Sequence, residues 1–406
     1  MKTSDEIVSM KIGDSCPPKI MGVINLSEES FYKGSIVSGD EVGKRASTMV
    51  EEGADMIDVG ARSTAPGVRQ ISVQEEKERL LTALKDVVDL GVPISVDTQY
   101  SDIAEMALNM GACMINDISG LKKDPRMADV LSDFDVPAIL MASKVKPGDR
   151  LTFPDIVASL VDSITLAERK GISKIIIDPG IGRWVKEKTY EYNLAIISGL
   201  ERLLVLGKPV LVAISRKSFI GDVLGIAEPS DRLAGTLACT AIAVYKGAHI
   251  VRTHDIKETR DIIRMATAIR GKQIMTDNGD YRVIKIDYLK NPEDSVELMR
   301  SIDVTETGTK IMGEKTVSRV MLIKNVTAPE ALILKQEMLA RGGDAAIPMG
   351  VISGEIKRAD IVVIGTILQI KDLIKKLKTQ SFNLPLISNL IRDTLEKDGD
   401  VKYLYR

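Results

Sequence analysis

Between Ile20 and about Arg270, short apolar runs alternate with stretches whose apolar residues recur at helical spacing. The runs are "IMGVINLS", "DMIDVG", "PISVDT", "MINDIS", "PAILMA", "KIIIDPG", "PVLVAIS" and "HIVRTHD". Continuous apolar runs belong to strands covered on both faces, as in a parallel sheet, and regular alternation with helices makes them βαβ units. Eight such units in about 250 residues suit a (β/α)8 TIM barrel. The rival is a doubly wound open sheet, which places a Gly-rich phosphate turn after its first strand. "INLSEESFYKG" is not such a turn.

The alternation stops near "GKQIMTDNGDY", whose Gly, Asn and Asp read as a linker. Beyond it, "YRVIKIDYL", "SRVMLIKNV" and "ADIVVIGT" read as strands, and "APEALILKQEMLARGG" and "LQIKDLIKKLKTQ" as helices. The expected organisation is a barrel over residues 16–270 and a smaller α/β domain over 280–406. A net charge of -2 argues against a nucleic-acid partner. No apolar stretch is long enough for a bilayer, so no membrane partner is expected, and "MKTSDEIVSMKIGD" is no secretory signal. Cys16, Cys113 and Cys239 are far apart and form no metal or disulfide pattern, which points to a reducing cytoplasm.

In such a barrel the chemistry gathers at the C-terminal ends of the strands. The runs end in Asn25, Asp97, Asn116-Asp117, Asp178 and the cluster Ser215-Arg216-Lys217-Ser218, and the last delivers Arg252 and His254 on one face. One Asp or Asn at a strand end is commonly a cap. Asp117 and Asp255 read that way, and His249, at the opposite end of its strand, reads as structural. Convergence is the argument for a site. Carboxylates accept from an amino group and its ring N–H, an amide does both jobs, and a lysine donates to a ring carbonyl or nitrogen. Arg252 and His254, with Asn25, would suit a phosphate or diphosphate beside the ring.

These residues and the motifs "IMGVINLSEESFYKG", "DMIDVGARSTAPG", "ISVDT", "MINDISG", "IIIDPGIG", "ISRKSFIG" and "IVRTHD" resemble the dihydropteroate synthase family of pterin-binding barrels. The resemblance covers the whole first domain. It implies a transferase that condenses 6-hydroxymethyl-7,8-dihydropterin diphosphate with an aromatic amine and releases pyrophosphate. Asp97, Asn116, Asp178 and Lys217 match the pterin-binding positions, with Asp97, Asp178 and Lys217 in the catalytic set. Asn25 matches a residue that holds Mg2+ beside the diphosphate, and Arg252 and His254 match the diphosphate pair. Ser218 matches a position near the carboxylate of 4-aminobenzoate, and Arg62, Thr64, Met141 and Arg216 complete the expected substrate-binding set. The expected partners are these small molecules and a second copy of the chain, as a homodimer. The C-terminal region resembles an accessory domain found at the other end of some bacterial dihydropteroate synthases, with assembly or regulation as its implied role.

The amine side departs from the family pattern. Glu28-Glu29 and Tyr32-Lys33 replace Pro-Asp and Ser-Asp in the first loop; Arg62 replaces a Glu and Ala65 an Arg in the second. Arg183 replaces an aromatic after "DPGIG", with Trp184 next, and Met141-Ala142 replaces Met-His. The added cations Lys33, Arg62 and Arg183 suit an amine more negative than 4-aminobenzoate, such as a ribosylated aminobenzene phosphate of methanopterin-type synthesis, unless they merely pair with Glu28 and Glu29, which leaves 4-aminobenzoate as the amine. A pterin-dependent methyltransferase, a Schiff-base lyase using Lys217 and a non-catalytic pterin-binding protein are the alternatives.

Overall fold

In the computed structural model of the protein, residues 4–8, 10–14, 16–26, 41–62, 71–271, 275–277, 282–286, 289–300 and 302–397 are described. The chain divides into two units, Met1–Lys285 and Ile286–Arg406. In the first, the eight apolar runs form β1 (Lys19–Asn25), β2 (Met56–Gly60), β3 (Ile94–Asp97), β4 (Met114–Asp117), β5 (Ala138–Met141), β6 (Ile175–Asp178), β7 (Leu211–Ala213) and β8 (Ile250–Thr253). All neighbours pair in parallel, in the order β6-β5-β4-β3-β2-β1-β8-β7. A parallel bridge between Ile177 and Val210 joins β6 to the residue before β7 and closes the ring. This is the (β/α)8 barrel expected from the alternation.

The helices that cover the ring are α1 (Glu41–Glu52), α2 (Val73–Val87), α3 (Ser101–Asn109), α4 (Met127–Asp133), α5 (Phe153–Arg169), α6 (Tyr190–Ser198), α7 (Ser218–Leu224), α8 (Leu233–Tyr245) and α9 (Ile256–Arg270). Local chemistry starts two of them. Ser72 and Thr152 accept the backbone N–H groups of Glu75 and Asp155, donors that an uncapped first turn leaves unsatisfied. None of the described helices is long and apolar enough to cross a membrane.

Strand residues of one parity point outward and pack under the helices in the larger core, with Ile57, Val59, Val96, Ile115 and Ile177 among them. Those of the other parity fill the barrel, where Met21, Met56, Met114, Ile139, Ile176, Leu211 and Ile250 form one buried layer. An antiparallel hairpin, Ser4–Ile7 with Met10–Gly13, adds Ile7 and Ile12 to that layer. The hairpin lies before the barrel start expected at residue 16. His249 takes part in the same region as scaffold. Its Nδ1 accepts the N–H of Val210, so the ring proton sits on Nε2, which faces Asp14 at 3.1 Å.

The second unit contains α10 (Pro292–Arg300), α11 (Glu306–Thr316), β9 (Ser318–Thr327), α12 (Ala328–Leu339), β10 (Asp344–Ala346), α13 (Met349–Ile352), β11 (Arg358–Thr366), α14 (Ile367–Leu377) and α15 (Leu384–Lys397). Its sheet is antiparallel in the order β9-β11-β10, over a core of its own. Thr327 with Glu330, and Thr366 with Gln369, form capping boxes that turn each long strand directly into a helix. Two sequence expectations shift here. Among the described residues of "YRVIKIDYL", Arg282–Ile284 is strand, and it pairs with Met275–Asp277 inside the expected linker. The third strand of the small sheet is instead Asp344–Ala346, too short to show an alternating pattern.

Candidate active site

The inward parity that gives the methionine layer continues toward the C-terminal ends of the strands and changes character. There it presents Asp58 on β2, Ser95 and Asp97 on β3, Asn116 on β4, Met141 on β5, Asp178 on β6 and Arg252 on β8. The register sets Asp58 beside Ser95 and Asp97 beside Asn116. Arg252 bridges two of the carboxylates, with Nε donating to Asp58 Oδ2 at 2.6 Å and Nη2 to Asp97 Oδ2 at 3.2 Å. Asn116 Nδ2 donates to the same Asp58 oxygen at 3.2 Å. Burial opposes the charge on Arg252, but Asp58 and Asp97 outweigh it and hold its pKa above the usual value. Burial pushes Asp97 up to about 7 against the pull of Arg252, and raises Asp178 against the pull of Lys217. Asp58 Oδ1, Ser95 Oγ and Asn116 Oδ1 are buried with no protein partner among the described residues.

The loop after β6 forms the next wall. Gly180 and Gly182 both have positive φ, 73° and 136°, which only glycine adopts readily. The turn lets the Gly180 N–H donate to Asp178 Oδ1 at 2.7 Å and fixes the carboxylate. Lys217 Nζ donates to Ile181 O and lies 5.1 Å from the centre of the Trp184 ring. Burial lowers the Lys217 pKa to about 8, with Asp178 opposing the shift. Met141, the last residue of β5, is buried.

The Ser-Arg-Lys-Ser cluster divides its labour. The side chain of Arg216 braces the turn after β7. Nε and Nη2 donate to Asp255 at 3.0 and 2.7 Å, and Nη1 donates to the carbonyls of Pro229 and Ser230. Its backbone is left-handed, φ 55°, held by donation from its N–H to Thr236 Oγ1 at 2.9 Å. Asp255, expected as a loop cap, is the carboxylate of this brace. Ser218 opens the short helix α7, with Lys217 at the N-cap position. Ser215 Oγ meets His254 Nδ1 at 2.9 Å. His254 is buried, and burial with Arg252, Arg216, Arg45 and Lys217 around it lowers its pKa to about 3. Arg45 Nη2 also donates to His254 O. The region around His254 is therefore electropositive and favours an anion, while the carboxylates gather around Arg252.

Arg62 is likewise engaged by the protein. Its Nε donates to Glu76 Oε2 at 2.6 Å, and its guanidinium lies 5.3 Å from the Tyr100 ring centre. Glu76 is buried on α2 and accepts from Thr98 Oγ1 as well. Arg62 is thus paired with a protein carboxylate. Arg183 is exposed, 4.0 Å from Asp222. Asn25 ends β1, partly buried, on the inward parity. Thr64, Ala65, Glu28, Glu29, Tyr32 and Lys33 lie outside the described residues.

A closed barrel with buried carboxylates and an amide facing inward, and cations at its rim, defines an enzyme class that can seat a hydrogen-bonding ring next to an anion. The profile of the family described as pterin binding enzyme matches residues 21–254. The dihydropteroate synthase of Bacillus subtilis is 39% identical over 257 residues, covering 62% of this chain and 89% of that protein. The dihydropteroate synthase of Coxiella burnetii, solved in complex with pteroic acid, is 37% identical, with a TM-score of 0.59 and coverage of 65% of this chain and 96% of that one. The enzyme of Xanthomonas albilineans, solved with 4-aminobenzoic acid, is 33% identical, with a TM-score of 0.58 and coverage of 66% and 99%. The chain belongs to the dihydropteroate synthase family of pterin-binding enzymes.

The raised pKa of Asp97 has a consequence for stability. A carboxyl whose folded pKa lies above its unfolded value favours the fold below the unfolded pKa, and that contribution is lost as pH rises through the folded one. Asp97 should therefore cost stability progressively between about pH 4 and 7. Relative to wild type, Asp97→Asn should gain in Tm as pH rises across that window. Parallel Tm profiles for the two proteins from pH 4.5 to 8 would contradict the shift.

Proposed function

We propose that the protein condenses 6-hydroxymethyl-7,8-dihydropterin diphosphate with 4-aminobenzoate, releasing pyrophosphate, as a step of folate synthesis. One observation supports this reading above the others. Buried polar atoms normally have partners, yet the inward-facing oxygens Asp58 Oδ1, Ser95 Oγ and Asn116 Oδ1 have none among the described residues. A pterin edge carries the amino and ring N–H donors that such acceptors need.

The chemistry follows from the charge layout. The bond between the exocyclic carbon and the diphosphate oxygen breaks, and the pyrophosphate leaves with the electron pair. Positive charge spreads over the pterin, where Asp97 and Asp178 favour it, and Lys217 keeps its ammonium for the ring's acceptors. His254 and the cations around it receive the departing anion. The amine nitrogen then bonds to the same carbon and loses a proton to solvent. No covalent bond to the protein is required, which removes the need for a Schiff base on Lys217. Mg2+ fits this arrangement through Asn25. Among the described residues no group of three His, Cys, Asp or Glu could hold a metal on its own, and Mg2+ takes few protein oxygens when substrate phosphates and water supply the rest. When bound, it would neutralise charge on the diphosphate.

The amine assignment rests on Arg62 and Arg183. Both were counted toward a phosphorylated amine, and one is tied to Glu76 while the other faces Asp222. A homodimer is supported by the packed helices α8 and α9, which leave Ile242 and Tyr245 on the first and Met265 and Ile269 on the second exposed. The separated cysteines favour a reducing compartment such as the cytoplasm.

With pterin diphosphate and Mg2+, pyrophosphate release should show a kcat/KM for 4-aminobenzoate at least tenfold above that for the ribosylated aminobenzene phosphate. A reversed preference, abolished by Arg183→Ala, would overturn the amine assignment. Sedimentation should give a dimer for the wild type and a monomer for Ile242→Glu. A variant that remains dimeric would move the interface elsewhere.

A further inference from the structure

Lys188 is completely buried, yet it stands outside the residues that would touch either substrate. Its Nζ donates to Gly180 O at 2.7 Å and to Gly148 O at 3.3 Å. No carboxylate pairs with it at salt-bridge distance among the described residues; Asp178 and Asp149 act on it only from further away. Burying an ammonium this way is unfavourable before its hydrogen bonds are counted. A methionine of similar length would fill the same volume without that cost. The donors themselves must therefore be what the position needs.

The two carbonyls it holds belong to the two loops that shape the ring-binding wall. Gly180 is the residue whose N–H fixes Asp178 Oδ1, so a bond to its carbonyl holds the same residue from the other side. Gly148 lies in the loop after β5, against Trp184. A Cβ at Gly148 would stand 2.2 Å from Trp184 Cγ. Trp184 in turn lies under Lys217 Nζ at 5.1 Å. Asn193 completes the grip by accepting the Gly182 N–H at 2.6 Å and donating to Thr189 O at 2.9 Å. The segment from Lys188 to Asn193 thus clasps the loop after β6 at two residues, and Lys188 alone extends the clasp to the loop after β5. Burial and the neighbouring Lys217 lower the Lys188 pKa to about 8, which is consistent with two ammonium groups sharing one pocket.

We propose that Lys188 is a positioning residue of the pterin site: by tying the carbonyls of Gly180 and Gly148 together it sets the Asp178 carboxylate and the Trp184–Lys217 wall for the ring. This rests on the pterin reading given above. It assigns Lys188 no contact with substrate.

Trp184 is the only tryptophan in the chain, so its fluorescence reports on this wall alone. In Lys188→Met, the dissociation constant for the pterin diphosphate should rise at least tenfold and the Trp184 emission should shift to the red. Gly148→Ala, whose Cβ would press on the indole, should give the same emission shift and at least fivefold weaker binding. A role limited to stability would lower the Tm of Lys188→Met and leave affinity and emission as in wild type, and that result would overturn the proposal. If Lys188→Met does not fold, Gly148→Ala decides. Unchanged binding and emission in that variant would equally overturn it. A wild-type chain that fails to bind the pterin diphosphate would remove the pterin reading itself, and the proposal with it. Binding in wild type with no change in either variant removes only the role of Lys188.

Discussion

One guanidinium sits where the fold and the chemistry meet. Arg252, on β8, spans from Asp58 on β2 to Asp97 on β3, and Asn116 on β4 donates to the same Asp58 oxygen. Two carboxylates in a barrel interior cannot both stay charged without compensation. Arg252 compensates them only in part, since Asp97 remains raised to about 7. The interior at this level is therefore short of positive charge and of N–H donors. A pterin supplies donors when it binds and positive charge as its diphosphate departs. The same arrangement favours the charge that develops in the reaction.

The opposite electrostatic sign is built a few ångströms of backbone away, from different parts of the chain. His254 follows β8 directly, and Arg45, Arg216 and Lys217 add their fields to it. Arg216 does so while bound to Asp255, and donation from its N–H to Thr236 Oγ1 holds the left-handed backbone, uncommon for a non-glycine residue, in the turn after β7. The loop after β6 connects the two regions. Its glycines bring Asp178 and Lys217 to the same short segment, Gly180–Gly182, one by accepting from it and the other by donating to it.

The barrel was legible because its period is written in apolar runs, and Asp97, Asn116, Asp178 and Lys217 were legible because each interrupts or ends such a run. Asp58 was not singled out, although "DMIDVG" contains it. It stands mid-strand, and only its parity with Met56 marks it as inward. The types of Arg62 and Arg216 were visible, but their partners were not: Glu76 lies on the next helix and Asp255 after the next strand. Lys188 was not singled out; it is one charge among several in "VKEKTYEY". Nothing local distinguishes a buried lysine whose partners are two distant carbonyls. The N-terminal hairpin escaped for a related reason, since Ile7 and Ile12 show their role only when the barrel they enter exists.

The central claim is that the inward polar ring holds the pterin. Calorimetric titration of the pterin diphosphate into wild type and Asp178→Asn tests it most directly, with circular dichroism to establish that both are folded. A hydrogen bond to a charged group is worth about 1.5–3 kcal/mol, so the account predicts roughly a tenfold or greater loss of affinity in Asp178→Asn. Affinity in the variant equal to that of wild type would contradict it.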